Sequence, residues 1–168
     1  MNGTDITYVV PVVPLLANGG LALRFRPAAR AFMPAEQQAR ETHRAVILAL
    51  GGLSFAGFVG VVTLSNPGTP YVLPAASLLA ESFALYFAAL NLQSYKSRRS
   101  LDLVSDGLFQ GAGLGLALAL GALSLKVAGG GWQGYAIALL LIGVAVADAT
   151  ARLRLTWKDL KARDRPDG

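Results

Sequence analysis

The sequence YVLPAASLLAESFALYFAALNLQS, residues 71–94, determines the fold class of this chain. It is predominantly apolar, and Glu81 is the one charged residue within it. As a helix it is long enough to cross a hydrocarbon core of about 30 Å, because each helical residue adds about 1.5 Å. A segment in lipid must satisfy its own backbone hydrogen bonds, which a helix does. We therefore predict a transmembrane helix over 71–94.

Similar apolar blocks lie on both sides of this stretch. Three further blocks of comparable length predict spanning helices at 45–65, 107–127 and 132–151. A weaker block at 6–23 contains Pro11, Pro14 and Asn18. We expect a kinked fifth spanning helix there, with a re-entrant or interfacial segment as the alternative. The sequence thus predicts an all-α integral membrane protein, a compact bundle of four or five transmembrane helices, with 1–168 as a single membrane domain.

The composition supports this class. Of the 168 residues, 54% are hydrophobic and 15% are charged, whereas about a quarter are charged in a typical soluble domain. There is no cysteine and one histidine, His43. Disulfides, thiolate metal sites and a haem held by two histidines are therefore excluded, and we predict neither a metal nor a cofactor.

The basic residues indicate the orientation. Of the 15 lysines and arginines, all except Lys126 lie in 24–44, 96–99 or 152–168, which alternation of the spans places on one side. The positive-inside rule makes that side cytoplasmic. We predict a cytoplasmic basic loop with a short helix at 24–44 and a charged cytoplasmic tail at 152–168. The membrane is then the plasma or inner membrane, and the N-terminus is outside if 6–23 spans. The net charge of +5 thus indicates anionic lipid as the partner, not nucleic acid.

Small and polar residues recur at three- and four-residue spacing along the blocks. In 71–94 they form a seam, which we define as Pro74, Ser77, Glu81, Ala84, Ala88 and Asn91. Tyr95 continues the same spacing at the expected membrane interface. In 107–127 and just before it they are Asp106, Gln110, Gly113, Ala117, Gly121 and Ser124, with Gly111 and Gly115 as a second pair. Such faces are typical of helix contacts in lipid. We expect the seam to face protein or a polar cavity, and the large apolar residues to face mostly lipid or other packing surfaces. The blocks carry more of these faces than the contacts within one small bundle would use. We therefore predict self-association, or contact with other membrane subunits.

Glu81 is the foremost candidate site residue because it lies near the middle of its predicted span. An ionised carboxylate there costs at least about 2.5 kcal/mol. Two arrangements would avoid this cost. The carboxyl group is protonated and hydrogen-bonded to a neighbouring helix, or it is ionised and faces a hydrated or cation-filled cavity. Ser77 and Asn91 share its face and are further candidates for lining a pathway.

Three more polar residues are candidates on other blocks. Gln110 is expected to hydrogen-bond across helices or to line a pathway. Asp148 has Arg152 four residues later, a spacing that favours a local ion pair. Asn18 precedes Gly19 and Gly20 and is a candidate for a break in the first helix. Asp102 and Asp106 are expected to cap the block that follows them.

These observations favour a channel or transporter for an ion or small solute. The alternative is a non-catalytic accessory subunit or scaffold of a membrane complex. No arrangement typical of a catalytic site appears in the sequence, so we expect no enzymatic activity and assign no catalytic residue.

Overall fold

The computed structural model describes residues 9–25, 37–64, 66, 69, 71–94 and 100–163. Within these ranges the chain is helical and contains no strand. A single 3-10 turn, Val10–Val12, leads into helix α1, Val13–Arg24. The remaining helices are α2 (Gln37–Leu64), α3 (Val72–Ser94), α4 (Ser100–Val127) and α5 (Trp132–Arg163). The predicted all-α class is confirmed.

Four of these helices, α2 to α5, are long and apolar enough to cross a membrane. The apolar segment Val10–Arg24 is shorter, about 23 Å at 1.5 Å per residue. Residues 6–8 of the predicted first block lie outside the described residues. The described part of that block therefore falls short of a full span on its own.

Three helices extend beyond the apolar blocks that predicted them. α4 begins at Ser100 instead of 107, and α5 continues past 151 to Arg163. α2 begins at Gln37, so the polar residues before 45 belong to the same helix. Apolarity ends where lipid would end, but Ala, Leu, Lys and Arg still favour helix beyond that point. Residues 26–36, 95–99 and 164–168 of the predicted loop and tail segments lie outside the described residues.

Helix α4 lies at the centre of the bundle. It packs against α1, α3 and α5, while α3 lies between α4 and α2. In the apolar part of α4, 56% is buried inside the protein, whereas in the apolar part of α5 only 6% is buried. The fold is therefore built around α4, and α5 is an outer helix with a largely exposed apolar surface.

Glycines of α4 bring α1, and the 3-10 turn that leads into it, into close contact. A Cβ added at Gly107 would lie 3.0 Å from Cβ of Asn18 and 3.1 Å from Cα of Leu15. A Cβ at Gly111 would overlap the carbonyl oxygen of Pro11, and one at Gly115 would lie 3.4 Å from Cγ of Pro11. Only residues without side chains allow the two backbones to approach this closely.

Small residues and hydroxyls also join α4 to its other neighbours. A Cβ at Gly121 would lie 3.3 Å from Cβ of Ala138 on α5, and Ser124 Oγ donates a hydrogen bond to the Gly134 carbonyl at 3.1 Å. On the opposite side, Ser105 Oγ donates to the Ala89 carbonyl of α3 at 3.0 Å. Gly121 and Ser124 of the predicted small-residue face of α4 thus lie against α5, whereas a Cβ added at Gly113 of the same face would lie 3.8 Å from the Tyr86 hydroxyl of α3.

The seam of α3 is not the buried face of that helix. Ala84 and Asn91 are exposed, and the other members of the seam, Pro74, Ser77, Glu81 and Ala88, are half-buried. Leu78, Leu79 and Tyr86 are instead 1–2% exposed and pack towards α2 and α4. Of the two surroundings expected for the large apolar residues, lipid or other packing surfaces, these three have the second. Their volume fills the space that two neighbouring helices leave around α3, which small residues would leave empty.

Arginines from α1 and α2 contact α5 and α3 at one end of the bundle, which we call the basic end. Arg44 Nη2 donates to the Gln93 carbonyl of α3 at 3.4 Å. Arg24 lies 5.5 Å from the ring centre of Trp157, which also contacts Phe25 edge-on at 5.4 Å. The end of α1, the first turns of α2, the end of α3 and the last turns of α5 therefore meet here.

Candidate functional site

Polar side chains from three helices converge around Phe109 of α4, near the basic end. The ring of His43, from α2, lies 4.8 Å from that of Phe109. The guanidinium carbon of Arg152, from α5, lies 5.7 Å from the same ring. We define the polar cluster as these two residues with Asp106, Gln110 and Asp148.

Asp106 is the acidic centre of the polar cluster. Gln110 Nε2, one turn further along α4, donates a hydrogen bond to Asp106 Oδ2 at 2.7 Å. Arg152, His43 and Asp148 all lie within electrostatic range of the Asp106 carboxylate. The expectation that Asp106 caps the helix is wrong, because α4 begins at Ser100 and only Asp102 lies in its first turn. The carboxylate is therefore available to its neighbours on other helices.

Asp148 and Arg152 form the predicted ion pair on α5. Arg152 Nε donates to Asp148 Oδ2 at 2.8 Å. The Asp148 side chain is 57% exposed and the Arg152 side chain is 42% exposed. A pair this exposed contributes about 0.5 kcal/mol or less to stability. Its structural consequence is that the polar cluster extends from the half-buried Asp106 to the surface of the protein.

Asn18 is completely buried between α1 and α4. Its Nδ2 donates to the Pro14 carbonyl at 3.0 Å, one turn earlier on α1. Its Cβ lies over Gly107, the residue that follows Asp106. The proposed break at this position is absent, since α1 is continuous through Gly19 and Gly20. Asn18 therefore faces the packed interior of the bundle and does not mark an interruption of the helix.

Two amide oxygens in this region are buried and have no hydrogen-bond partner among the described residues. They are Asn18 Oδ1 and Gln110 Oε1. The orientation of both amide groups is defined, because each amide nitrogen donates to an oxygen that can only accept: the Pro14 carbonyl and the Asp106 carboxylate. Turning either amide over would place oxygen against oxygen. An unsatisfied buried acceptor costs about 1–3 kcal/mol, so a donor or a cation at these oxygens would be stabilising.

The structure separates the predicted site residues into two groups. Gln110 and Asp148 belong to the polar cluster, and Asn18 lies beside it on Gly107. Glu81, Ser77 and Asn91 lie on the seam of α3 instead. No hydrogen bond or ion pair joins Glu81 to another of the described residues.

Sequence reasoning missed His43, Asp106 and Arg152 as members of one site. The four-residue spacings Asp106–Gln110 and Asp148–Arg152 were visible and do correspond to contacts within a helix. No local signal relates His43 to either pair, because its contact with Phe109 crosses from α2 to α4.

In the part of the chain that the structure describes, no group of three or more His, Cys, Asp or Glu side chains could hold a metal ion. Comparisons with protein families, with curated proteins and with solved structures found no match. The chemistry of the site is therefore inferred from its own side chains.

Proposed function

We propose that this chain is an integral membrane protein in which α2 to α5 cross the bilayer and α1 packs beside α4 as a shorter segment. The apolar surface of α5 supports this, since Leu139, Leu140 and Val144 are 70%, 66% and 63% exposed. Water would leave this surface unfavourably hydrated, whereas lipid would cover it. The concentration of basic residues at one end favours the cytoplasmic side of a plasma or inner membrane for that end.

We further propose that the protein conducts or transports a small cation through the polar cluster. The observation that carries this proposal is the hydrogen bond from Gln110 to the Asp106 carboxylate, within electrostatic range of the exposed Asp148–Arg152 ion pair. The Gln110 amide oxygen is buried and has no hydrogen-bond partner among the described residues. With a neutral His43, two carboxylates face one guanidinium, so the polar cluster has one net negative charge. Ionisable groups placed among membrane-spanning helices commonly serve ion pathways.

Flux through proteoliposomes tests this function. Purified protein in liposomes should pass cations down an imposed gradient, and Asp106→Asn should reduce the rate at least about tenfold, because the amide keeps the shape but removes the charge. Glu41→Gln is the matched control, since this carboxylate is exposed, is screened by water and lies outside the polar cluster, so its loss should affect the rate far less.

Glu81→Gln distinguishes the two acidic positions. Loss of flux in Glu81→Gln with full flux in Asp106→Asn would move the pathway to the seam of α3 and contradict the proposal. Flux no greater than in empty liposomes, from protein that is folded by circular dichroism, would reject transport altogether.

The seam of α3 supports a second candidate function, that of a subunit which docks another membrane protein or a second copy of itself. Ala84 and Asn91 are exposed, and the half-buried Glu81 has no partner among the described residues. Small and polar residues at this spacing permit close approach of a further helix. Native mass spectrometry in nanodiscs tests self-association: a dimer or larger ring supports it, and a monomer contradicts it.

A further inference from the structure

We propose that the basic end binds one anionic phospholipid between α1 and α5, with its phosphate headgroup around Trp157 and an acyl chain along the exposed face of α5. This inference rests on the proposed insertion of α5 into a membrane, but lipid binding is measured independently of insertion.

The ring of Trp157 is the place where α1 brings a positive charge to α5. Phe25 packs edge-on against this ring, with the ring centres 5.4 Å apart, and so fixes the end of α1 on α5. The guanidinium carbon of Arg24 then lies 5.5 Å from the centre of the Trp157 ring and 5.8 Å from that of Phe25. A guanidinium group that contacts aromatic rings keeps N–H groups for a further acceptor. Arg24 is thus held beside α5 as a donor.

Helix α5 adds three more cations around the same ring. Arg154 precedes Trp157 by three residues, Lys161 follows it by four, and Lys158 lies four residues after Arg154. Residues three and four apart are neighbours on a helix surface, with about 5–6 Å between their Cβ atoms. The side chains of all three are exposed, as is that of Arg24. We call Arg24, Arg154, Lys158 and Lys161 the basic patch.

The charge of the basic patch is not balanced by the part of the chain that the structure describes. No hydrogen bond or ion pair joins its three α5 side chains to another described residue, and Arg24 contacts two aromatic rings. Asp159 lies two residues after Trp157 and therefore on another side of α5. A bound anion would relieve the repulsion among the four cations and accept charge-assisted hydrogen bonds from them.

An apolar groove on α5 leads to the basic patch and indicates that the anion belongs to a lipid. Gly143, Ala147 and Ala151 are exposed and follow each other at four-residue steps, and nothing lies within 4 Å of a Cβ added at Gly143. Val144 and Val146, 63% and 46% exposed, border this row of small residues. Rows of residues four apart form the grooves and ridges of a helix surface. The groove ends three residues before Arg154, so a chain lying in it would bring its headgroup to the basic patch.

The indole of Trp157 suits the level of the headgroups. Its side chain is 37% exposed, and its N–H has no acceptor among the described residues. Tryptophan is enriched at membrane interfaces, where its ring lies against apolar groups and its N–H reaches polar ones. Basic pockets between helices on the cytoplasmic side bind anionic headgroups. The phosphate would accept from this N–H and from the guanidinium groups of Arg24 and Arg154, whose geometry matches phosphate oxygens.

Native mass spectrometry of the purified full-length protein in neutral detergent tests the site. Phosphatidylglycerol and phosphatidylcholine with identical acyl chains are titrated in separate series. We expect one phosphatidylglycerol per chain to bind saturably, with a dissociation constant at least about tenfold lower than that of phosphatidylcholine, because several basic residues contact the anionic headgroup. Equal binding of the two lipids would overturn the proposal.

Substitutions in the basic patch locate the headgroup. Arg24→Gln and Arg154→Gln should each raise the dissociation constant of phosphatidylglycerol about fivefold, because each removes one charged contact. Both side chains are exposed, so the fold should be retained. Lys126→Gln is the control, since it removes one positive charge at the opposite end of the bundle. An equal effect of all three variants would mean diffuse attraction to the whole protein and would overturn the site.

A substitution in the groove separates a lipid from a free anion. Gly143→Leu should raise the dissociation constant of phosphatidylglycerol by at least about fivefold, because the new side chain fills the groove. Gly52→Leu on α2 is the matched control, since Gly52 is also exposed and has nothing within 4 Å of its Cβ position. Displacement of the lipid by equimolar inorganic phosphate, or full binding in Gly143→Leu, would identify a phosphate site and overturn the lipid proposal.

Alkaline extraction of membranes distinguishes failure of this site from failure of the membrane proposal. Protein that resists extraction but does not prefer phosphatidylglycerol would reject the lipid site and leave membrane insertion standing. Protein that is released by extraction, yet binds one phosphatidylglycerol in detergent, would reject insertion and retain the headgroup site.

Discussion

Gly107, Gly111 and Gly115 form a strip without side chains along α4, and α1 and the 3-10 turn before it pack onto this strip. At Gly111 the contact is with the Pro11 carbonyl, a rigid backbone group that has no rotamer by which to move aside. These three residues therefore determine the position of α1, and with it the position of the buried Asn18.

At this scale we predict that Gly111→Ala destabilises the protein by about 1–3 kcal/mol, because the new methyl group overpacks the contact with α1. Gly143→Ala is the control: nothing lies within 4 Å of its Cβ position, and replacing glycine by alanine inside a helix gains about 0.5–1 kcal/mol. Thermal unfolding in detergent compares the two variants. Equal stability of Gly111→Ala and the wild type would mean that α1 does not pack as described.

The helices differ in how many of their faces the chain itself covers. α4 is covered on the sides of α1, α3 and α5, whereas α5 contacts the bundle along one side and exposes large apolar residues elsewhere. α3 is intermediate, with one face buried between α2 and α4 and the seam partly uncovered. The uncovered faces are those that lipid or another protein would meet.

At the scale of the element we predict that Leu140→Lys impairs membrane insertion of α5, while Leu155→Lys does not. Both leucines are 66% exposed, so neither change disturbs the interior. Leu140 lies within the apolar part of the helix, where a lysine costs about 2.5–3.5 kcal/mol on insertion scales. Leu155 lies near the basic end, where the ammonium group of a lysine at this position would reach water. The fraction of protein resistant to alkaline extraction of membranes measures the difference; equal fractions would argue against α5 as a span.

On the scale of the whole molecule, the two ends of the bundle differ in charge. The end of the bundle at the turn that joins α4 to α5 holds one basic residue in this part of the chain, Lys126. The next basic residue along the chain is Arg152. The opposite end holds Arg24, Arg44 and the last turns of α5. This asymmetry gives the proposed orientation its support.

Here we predict that single cysteines report opposite sides of the membrane. The chain contains no native cysteine, and Gln133 and Lys161 are both exposed. In intact cells Gln133→Cys should react with an impermeant maleimide, whereas Lys161→Cys should react only after permeabilisation. Labelling of both positions from the same side would contradict a membrane-spanning α5, and the reversed pattern would contradict the orientation.

The sequence by itself determined the features that depend on neighbours along the chain. The four long apolar helices follow from segment length and apolarity, and the Asp148–Arg152 pair follows from a four-residue spacing on one helix. Both are local, because helical geometry alone relates the residues concerned. The spacing of Asp106 and Gln110 was equally local, but the helix start at Ser100 lay beyond the apolar block, and so Asp106 was misinterpreted as a cap.

Only the tertiary structure decided which faces of the helices meet. The seam of α3 has the periodicity of a packing face, yet the adjacent face with Leu78 and Tyr86 is buried, because α2 and α4 lie on that side. Likewise, the orientation of three helices about their own axes brings together His43, Asp106 and Arg152. A helix with small residues on several faces can pack through any of them, and the choice depends on the shapes of all its neighbours together.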